Sequence, residues 1–114
     1  MKKKNYIGRC EKRTLSKCQE VCRVYSEIQD VYLNVLQNNN DIKEFQCNVP
    51  ITLTEGEYTS DFVCVKINGD IMVRECVQRK LLMKPMTAKL LDSSKEYWKN
   101  RGVIDWGVII DVEK

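Results

Sequence analysis

The sequence predicts an α/β domain with a mixed sheet, and three observations carry that reading. Tyr58 to Ile67 and Ile71 to Arg79 alternate apolar and polar residues on either side of Asn68-Gly69, a strong hairpin signal. Stretches before and after this hairpin place apolar residues at three- and four-residue steps, the period of a helix with one buried face. The run from Trp106 to Val112 is apolar enough to lie centrally in a sheet. Strands and helices interleave along one chain of 114 residues, enough for a single compact core.

The elements are expected in the following order. Residues 1–13 form an irregular basic arm, and residues 14–114 form one domain. From Thr14, the spacing of Leu15, Cys18, Val21, Cys22 and Tyr25 predicts a first helix. Ser26 caps a second, with Glu27 and Asp30 in its first turn, where acidic groups favour the positive end of the dipole. Ile28, Val31, Tyr32, Val35 and Leu36 form its apolar stripe, and Asn38-Asn39-Asn40-Asp41 stops it. A strand from Ile42 to Val49 is closed by Pro50, and a short extended piece covers Ile51 to Leu53 before a turn at Glu55-Gly56-Glu57. After the hairpin, Pro85 opens a helix to about Asn100, with Ala88, Leu90, Leu91, Tyr97 and Trp98 apolar and Arg101-Gly102 ending it. Tyr97 and Trp98 are expected to pack in the core.

Composition removes whole reaction classes. Histidine is absent, so no Ser-His-Asp triad, Cys-His pair or histidine metal site exists. The segment Met1-Lys2-Lys3-Lys4-Asn5 is basic, but no apolar stretch follows it, and no run is long enough to span a membrane. A cytoplasmic, reducing location is therefore expected, in which the six cysteines stay unpaired. No CxxC pair occurs. A zinc site would need cysteines alone from scattered positions, with Cys18 and Cys22 one helical turn apart. Cys64 and Cys76 alternate with valines and isoleucines and read as small buried hydrophobes. The net charge is only +3, but Lys2, Lys3, Lys4, Arg9, Lys12 and Arg13 crowd the N-terminus, an arm suited to a polyanion.

The hairpin carries the candidate chemistry. Asp61 heads one strand and Glu75 lies on the return strand, followed by Gln78, Arg79 and Lys80. Two acidic groups brought together across paired strands, with a cation nearby, suit a divalent metal and phosphodiester cleavage. The register depends on the loop. A two-residue Asn68-Gly69 loop sets Asp61 opposite Cys76, puts Gln78 and Lys80 on its face and turns Glu75 away. A three-residue loop with Gly69 left-handed in a bulge sets Asp61 opposite Glu75. Both loops are common, and the sequence leaves both open.

Several pieces together resemble the N-terminal nuclease domain of the TnsA endonuclease family, subunits of heteromeric transposases. Ser26-Glu-Ile-Gln29-Asp30 resembles the family's opening helix, and Ile42-Lys-Glu-Phe45-Gln46 its valine-x-x-phenylalanine-glutamine strand. Tyr58-Thr-Ser-Asp61-Phe62 matches a tyrosine-x-proline-aspartate-phenylalanine motif with Ser60 in place of proline. The segment from Lys95 to Trp106 matches the family's tyrosine-tryptophan helix end and final strand. The resemblance runs from about Ser26 to Asp111. It implies a restriction-endonuclease-like fold of the PD-(D/E)XK superfamily, a mixed β-sheet flanked by α-helices.

The resemblance also implies a function. The chain would be a transposon-encoded endonuclease subunit that hydrolyses a phosphodiester at transposon ends with Mg2+ or Mn2+, beside a DDE-type transposase. Asp61 and Glu75 would be the metal ligands, with Gln78 as the alternative second ligand and Lys80 as the cation. Two departures stand out: the family's lysine position falls on Val77, and its helix acid falls on Gln29, flanked by Glu27 and Asp30 as substitutes. They motivate a second expectation, a nuclease-fold subunit that binds DNA or a partner without cutting. A resolvase or restriction-type nuclease shares the fold and is a third. Active members often carry a further C-terminal domain that contacts a regulator ATPase. That domain is not expected in a chain ending at Lys114, so partner contacts, or an oligomer, would use this domain's own surface.

Overall fold

The computed structural model describes residues 10–111. A four-stranded mixed sheet has the order β3-β4-β5-β6, and β1 and β2 form a separate two-stranded ribbon. The strands are β1 (Glu11–Arg13), β2 (Cys22–Val24), β3 (Ile42–Leu53), β4 (Gly56–Lys66), β5 (Ile71–Val77) and β6 (Asp105–Ile110). Helix α1 (Glu27–Gln37) precedes β3, and α2 (Pro85–Lys99) connects β5 to β6. β3, β4 and β5 are antiparallel neighbours, and β6 joins β5 in parallel, which a helical crossover permits. The domain is thus mixed α/β.

The first expected helix is absent. Residues Thr14 to Val21 form turns and bends, and Cys22–Val24 is a strand paired with Glu11–Arg13. The helical spacing of Leu15, Cys18 and Cys22 instead comes from a loop that folds back on the core, burying Cys18 and Cys22. Of the expected arm, Glu11–Arg13 is therefore strand, and Lys2, Lys3, Lys4 and Arg9 lie outside the described residues.

α1 begins where expected. Ser26 is extended, and its hydroxyl accepts the Gln29 N–H at 3.2 Å. Its buried row is Gln29, Leu33 and Leu36, while Val31 and Val35 are exposed. The stripe is rotated from the one expected because α1 packs on Phe45, Phe62 and Cys64 of the sheet, and a glutamine takes a place in the buried row.

β3 continues through Pro50 as one strand of 12 residues. Proline is tolerated there because β3 is an edge strand of the sheet. Asn48 adopts φ +56, a left-handed kink in mid-strand. β6 is the opposite edge strand, not a central one, and all its residues are half-buried.

α2 opens at Pro85 and closes in a Schellman motif: the Gly102 N–H bonds Lys99 O at 3.0 Å, the Val103 N–H bonds Trp98 O at 2.9 Å, and Gly102 has φ +82. Its buried row is Thr87, Leu90, Leu91 and Ser94. Leu90 packs with Ile51, Leu53 and Tyr58, and Tyr97 and Trp98 pack against that cluster, as expected for core aromatics.

Candidate functional site

The hairpin register follows from its loop. The Lys66 N–H bonds Asp70 O at 2.8 Å, the Gly69 N–H bonds Lys66 O at 2.9 Å, and Gly69 has φ +95. This is the three-residue, bulged loop, and the ladder runs from Val65 opposite Ile71 to Phe62 opposite Arg74. The next positions along both strands are Asp61 and Glu75.

There the ladder gives way to side chains. The Glu75 Oε1 accepts the Asp61 N–H at 3.1 Å, and the Asp61 Oδ2 accepts the Cys76 N–H. Each carboxylate takes over a backbone donor where the strands separate. Both residues are fully buried, at 0% exposure, which a carboxylate tolerates only when its oxygens are bonded.

Helices and neighbouring strands supply the remaining donors. Gln29 of α1 donates from Nε2 to Asp61 Oδ1 at 2.8 Å and to Asn48 Oδ1 at 2.8 Å, while its Oε1 accepts the Tyr25 N–H at 2.8 Å. Ser60 and Ser94 donate to Glu75 Oε2 at 2.8 and 2.6 Å. Trp98 Nε1 donates to Ser60 Oγ at 3.0 Å, and Trp106 Nε1 to Ser94 Oγ at 3.2 Å. Asn48 Nδ2 reaches back to Arg23 O at 2.7 Å. The network thus joins both helices, β2, β3, β4, β5 and β6 around two acids.

Asp61, Glu75 and Gln29 are therefore brought together. Gln78 and Lys80 are not. The bulged loop makes Glu75 the partner of Asp61, and β5 ends at Val77, before Gln78. Gln78 and Lys80 are exposed, Lys80 on the short 310 turn Arg79–Leu81, whereas both acids are buried. Val77, on which the lysine position of the resemblance falls, is buried at 2%. Glu27 is exposed, and Asp30 faces Arg13 at 3.4 Å, so neither takes the place of Gln29. Arg13 is also paired with Glu11, which holds its guanidinium above the usual range, so it is engaged within the ribbon. Lys12 is exposed on β1.

Sequence reasoning missed Ser94, Asn48 and Trp106. Ser94 carried a usable signal: it lies in register with Leu90 and Leu91 on the buried row of α2, where an isolated hydroxyl calls for a partner. Asn48 carried only its tolerance of left-handed backbone. A separate group stands nearby: the sulfurs of Cys18, Cys22 and Cys47 lie within 4.8 Å of one another.

Oxygen donors such as those of Asp61 and Glu75 suit a hard divalent cation, and each carboxylate offers about four acceptor positions. The donor types fit Mg2+ or Mn2+, while both carboxylates are fully buried and engaged by Gln29 and Ser94. Among the described residues, no helix is long and apolar enough to cross a membrane. No family model matches the chain, and no curated protein matches it.

Proposed function

We propose that this chain is a DNA endonuclease subunit on a restriction-endonuclease-like scaffold, of the kind the TnsA resemblance implies, cutting a phosphodiester at transposon ends. The observation that carries the reading is the convergence of Asp61, Glu75 and Gln29. The resemblance assigned three distant positions to one site, and these three are hydrogen-bonded to one another or to each other's backbone. The mixed sheet with its two helices supports the same reading.

In this reading Asp61 and Glu75 would hold Mg2+ or Mn2+, which when bound would supply a water of lowered pKa and stabilise charge on phosphorus. The chain's own residues set the rest. Ser60 and Ser94 fix the Glu75 carboxylate, and the two indole N–H groups fix the serines in turn. Gln29 holds Asp61 and must release or share Oδ1 for the site to open. Exposed Lys84, Lys89 and Lys95 of the α2 region, with the N-terminal basic residues, meet backbone phosphates and give salt-dependent affinity. The partner would be a DDE-type transposase, with a regulator ATPase as a further contact.

The test is nicking of transposon-end DNA by the chain with its transposase and Mn2+. Asp61→Ala is expected to abolish nicking, and equal background from wild type and variant overturns the proposal. A second reading rests on Val77 and on the closed site: a nuclease-fold subunit that binds DNA or transposase without cutting. Calorimetric titration with Mn2+ separates the two, since tight binding that depends on Asp61 counts against the non-cutting form.

A further inference from the structure

Cys18, Cys22 and Cys47 come from three separate segments, the loop after β1, strand β2 and strand β3. Their sulfurs nevertheless meet within 4.8 Å of one another. Cys22 is completely buried, Cys18 nearly so, and Cys47 is half-buried. We propose that these three thiols form a binding site for a zinc ion, which fastens the N-terminal ribbon to the edge of the sheet.

The geometry is close to what such an ion needs. Zinc–sulfur bonds of about 2.3 Å in a tetrahedral shell hold their sulfurs about 3.8 Å apart. Small side-chain rotations bring three sulfurs already within 4.8 Å to that spacing. The gathering of sulfurs is confined to these three: Cys64 and Cys76 lie in the same core outside the cluster. Three cysteine ligands leave a fourth position. A cavity of about 340 Å3, lined by Cys18, Cys47, Glu44, Gln46 and Asn48 among others, adjoins the cluster on the side of that position.

The location explains what the ion would do. β1 and β2 have three residues each, and a two-stranded ribbon of that size is marginal alone. The ribbon's loop is tied to the sheet by the Phe45 N–H to Lys17 O bond at 2.9 Å, and a metal clip would add a covalent-strength tie beside it. The clip is also one residue from the acidic network at two points: Cys22 precedes Arg23, whose carbonyl accepts from Asn48, and Cys47 precedes Asn48, whose side chain accepts from Gln29. Burial, more than any neighbour, pushes the Cys22 thiol up to about 12 and the Cys47 thiol higher still. Zinc binds thiolates, so loading the site releases protons to solvent and affinity rises with pH.

The experiment loads the reduced full chain with zinc alone, removes excess by gel filtration and measures metal per chain by mass spectrometry of the elements. One zinc per chain is expected, retained in Cys10→Ser and lost in Cys18→Ser and Cys47→Ser. Cobalt in place of zinc is expected to give a sulfur-to-metal charge-transfer band in wild type and in Cys10→Ser only. Wild type that does not retain zinc, or cysteine variants that bind as wild type does, overturn the proposal. So does a disulfide among the three in freshly purified chain. Should the variants fail to fold, X-ray absorption of zinc-loaded wild type decides: three sulfur neighbours support the site, and a shell of oxygen and nitrogen overturns it. None of these readouts uses DNA cleavage, so either proposal can fail without the other.

Discussion

The carboxylate of Glu75 accepts the backbone N–H of Asp61, its cross-strand neighbour, at 3.1 Å. A ladder bond between two strands has been exchanged for a side-chain bond at the point where β4 and β5 part. The exchange explains how two acids are buried at one place in a small domain. They are held by backbone donors that would otherwise be orphaned, by the hydroxyl of Ser60 on β4, and by a hydroxyl and an amide from the helices. The same bonds limit what can be changed there.

Ser94→Ala removes a donor to Glu75 Oε2 and the acceptor of the Trp106 indole. Leaving buried polar groups short of partners costs about 1–3 kcal/mol. Urea unfolding of the variant is expected to show a loss in that range with an unchanged slope. Ser60→Ala disrupts the same carboxylate oxygen, so the double variant is expected to lose less than the sum of the two singles.

Gln29→Glu restores an acid at the helix position facing Asp61. Without metal, the new carboxylate meets Asp61 Oδ1 where an amide N–H stood, and the melting temperature is expected to fall. Added Mn2+ is expected to reverse the loss, by about 2.7 kcal/mol at a concentration one hundred times the dissociation constant. Thermal scans with and without Mn2+ check this, and a variant that stays destabilised at saturating Mn2+ speaks against metal binding by these residues.

Asp105 ties β6 to the hairpin through Lys66 and, at 2.7 Å, Arg74. The hydrogen bond from Lys66, then those from Arg74, hold its carboxyl below the usual value of 3.8 against the opposing effect of partial burial. A lowered folded value means that this stabilisation is complete above the unfolded value and disappears as pH falls through the folded one. Asp105→Asn is expected to cost about 1 kcal/mol at neutral pH, as a partly exposed charge network does. Its unfolding curve should converge with that of wild type in acid, below 3.8.

Gly69→Ala tests the bulge that sets the register. A Cβ at Gly69 would meet nothing within 4 Å, so the penalty is purely that of φ +95 in a residue with a side chain. A loss of about 1–2 kcal/mol is expected from denaturant unfolding. If the loop were instead free to shorten, the variant would keep its stability while amide exchange revealed a new pairing for Asp61.

The hairpin, α1, α2 and the final strand were legible because each rests on local chemistry: a Ser cap, Asn-Gly, a proline start and a Gly102 stop. The loop length at Asn68-Gly69 was not, because two-residue and bulged turns use the same residues and differ only in pairing. The first helix was misread because Leu15, Cys18 and Cys22 have helical spacing, yet their burial comes from packing against α1 and the sheet. Gln29 shows the same limit. As a residue type it breaks the apolar stripe, and only the position of Asp61 explains why the buried row turns through it. The acids themselves could be named from the sequence; the serines and indoles that hold Glu75 depend on distant strands and α2 coming together.

Pro50 has a further consequence, for the behaviour of the sheet toward other chains. The outer rim of β3 offers few places for a foreign strand to attach. Pro50 has no N–H to give, Asn48 bends the strand out of line, and the Phe45 N–H is already taken by Lys17. On the β6 side, Trp106, Val108, Ile109 and Ile110 lie on a rim without a described neighbouring strand. The two rims of the four-stranded sheet are therefore unlike, and the described rim of β6 is the more open of the two to a foreign strand.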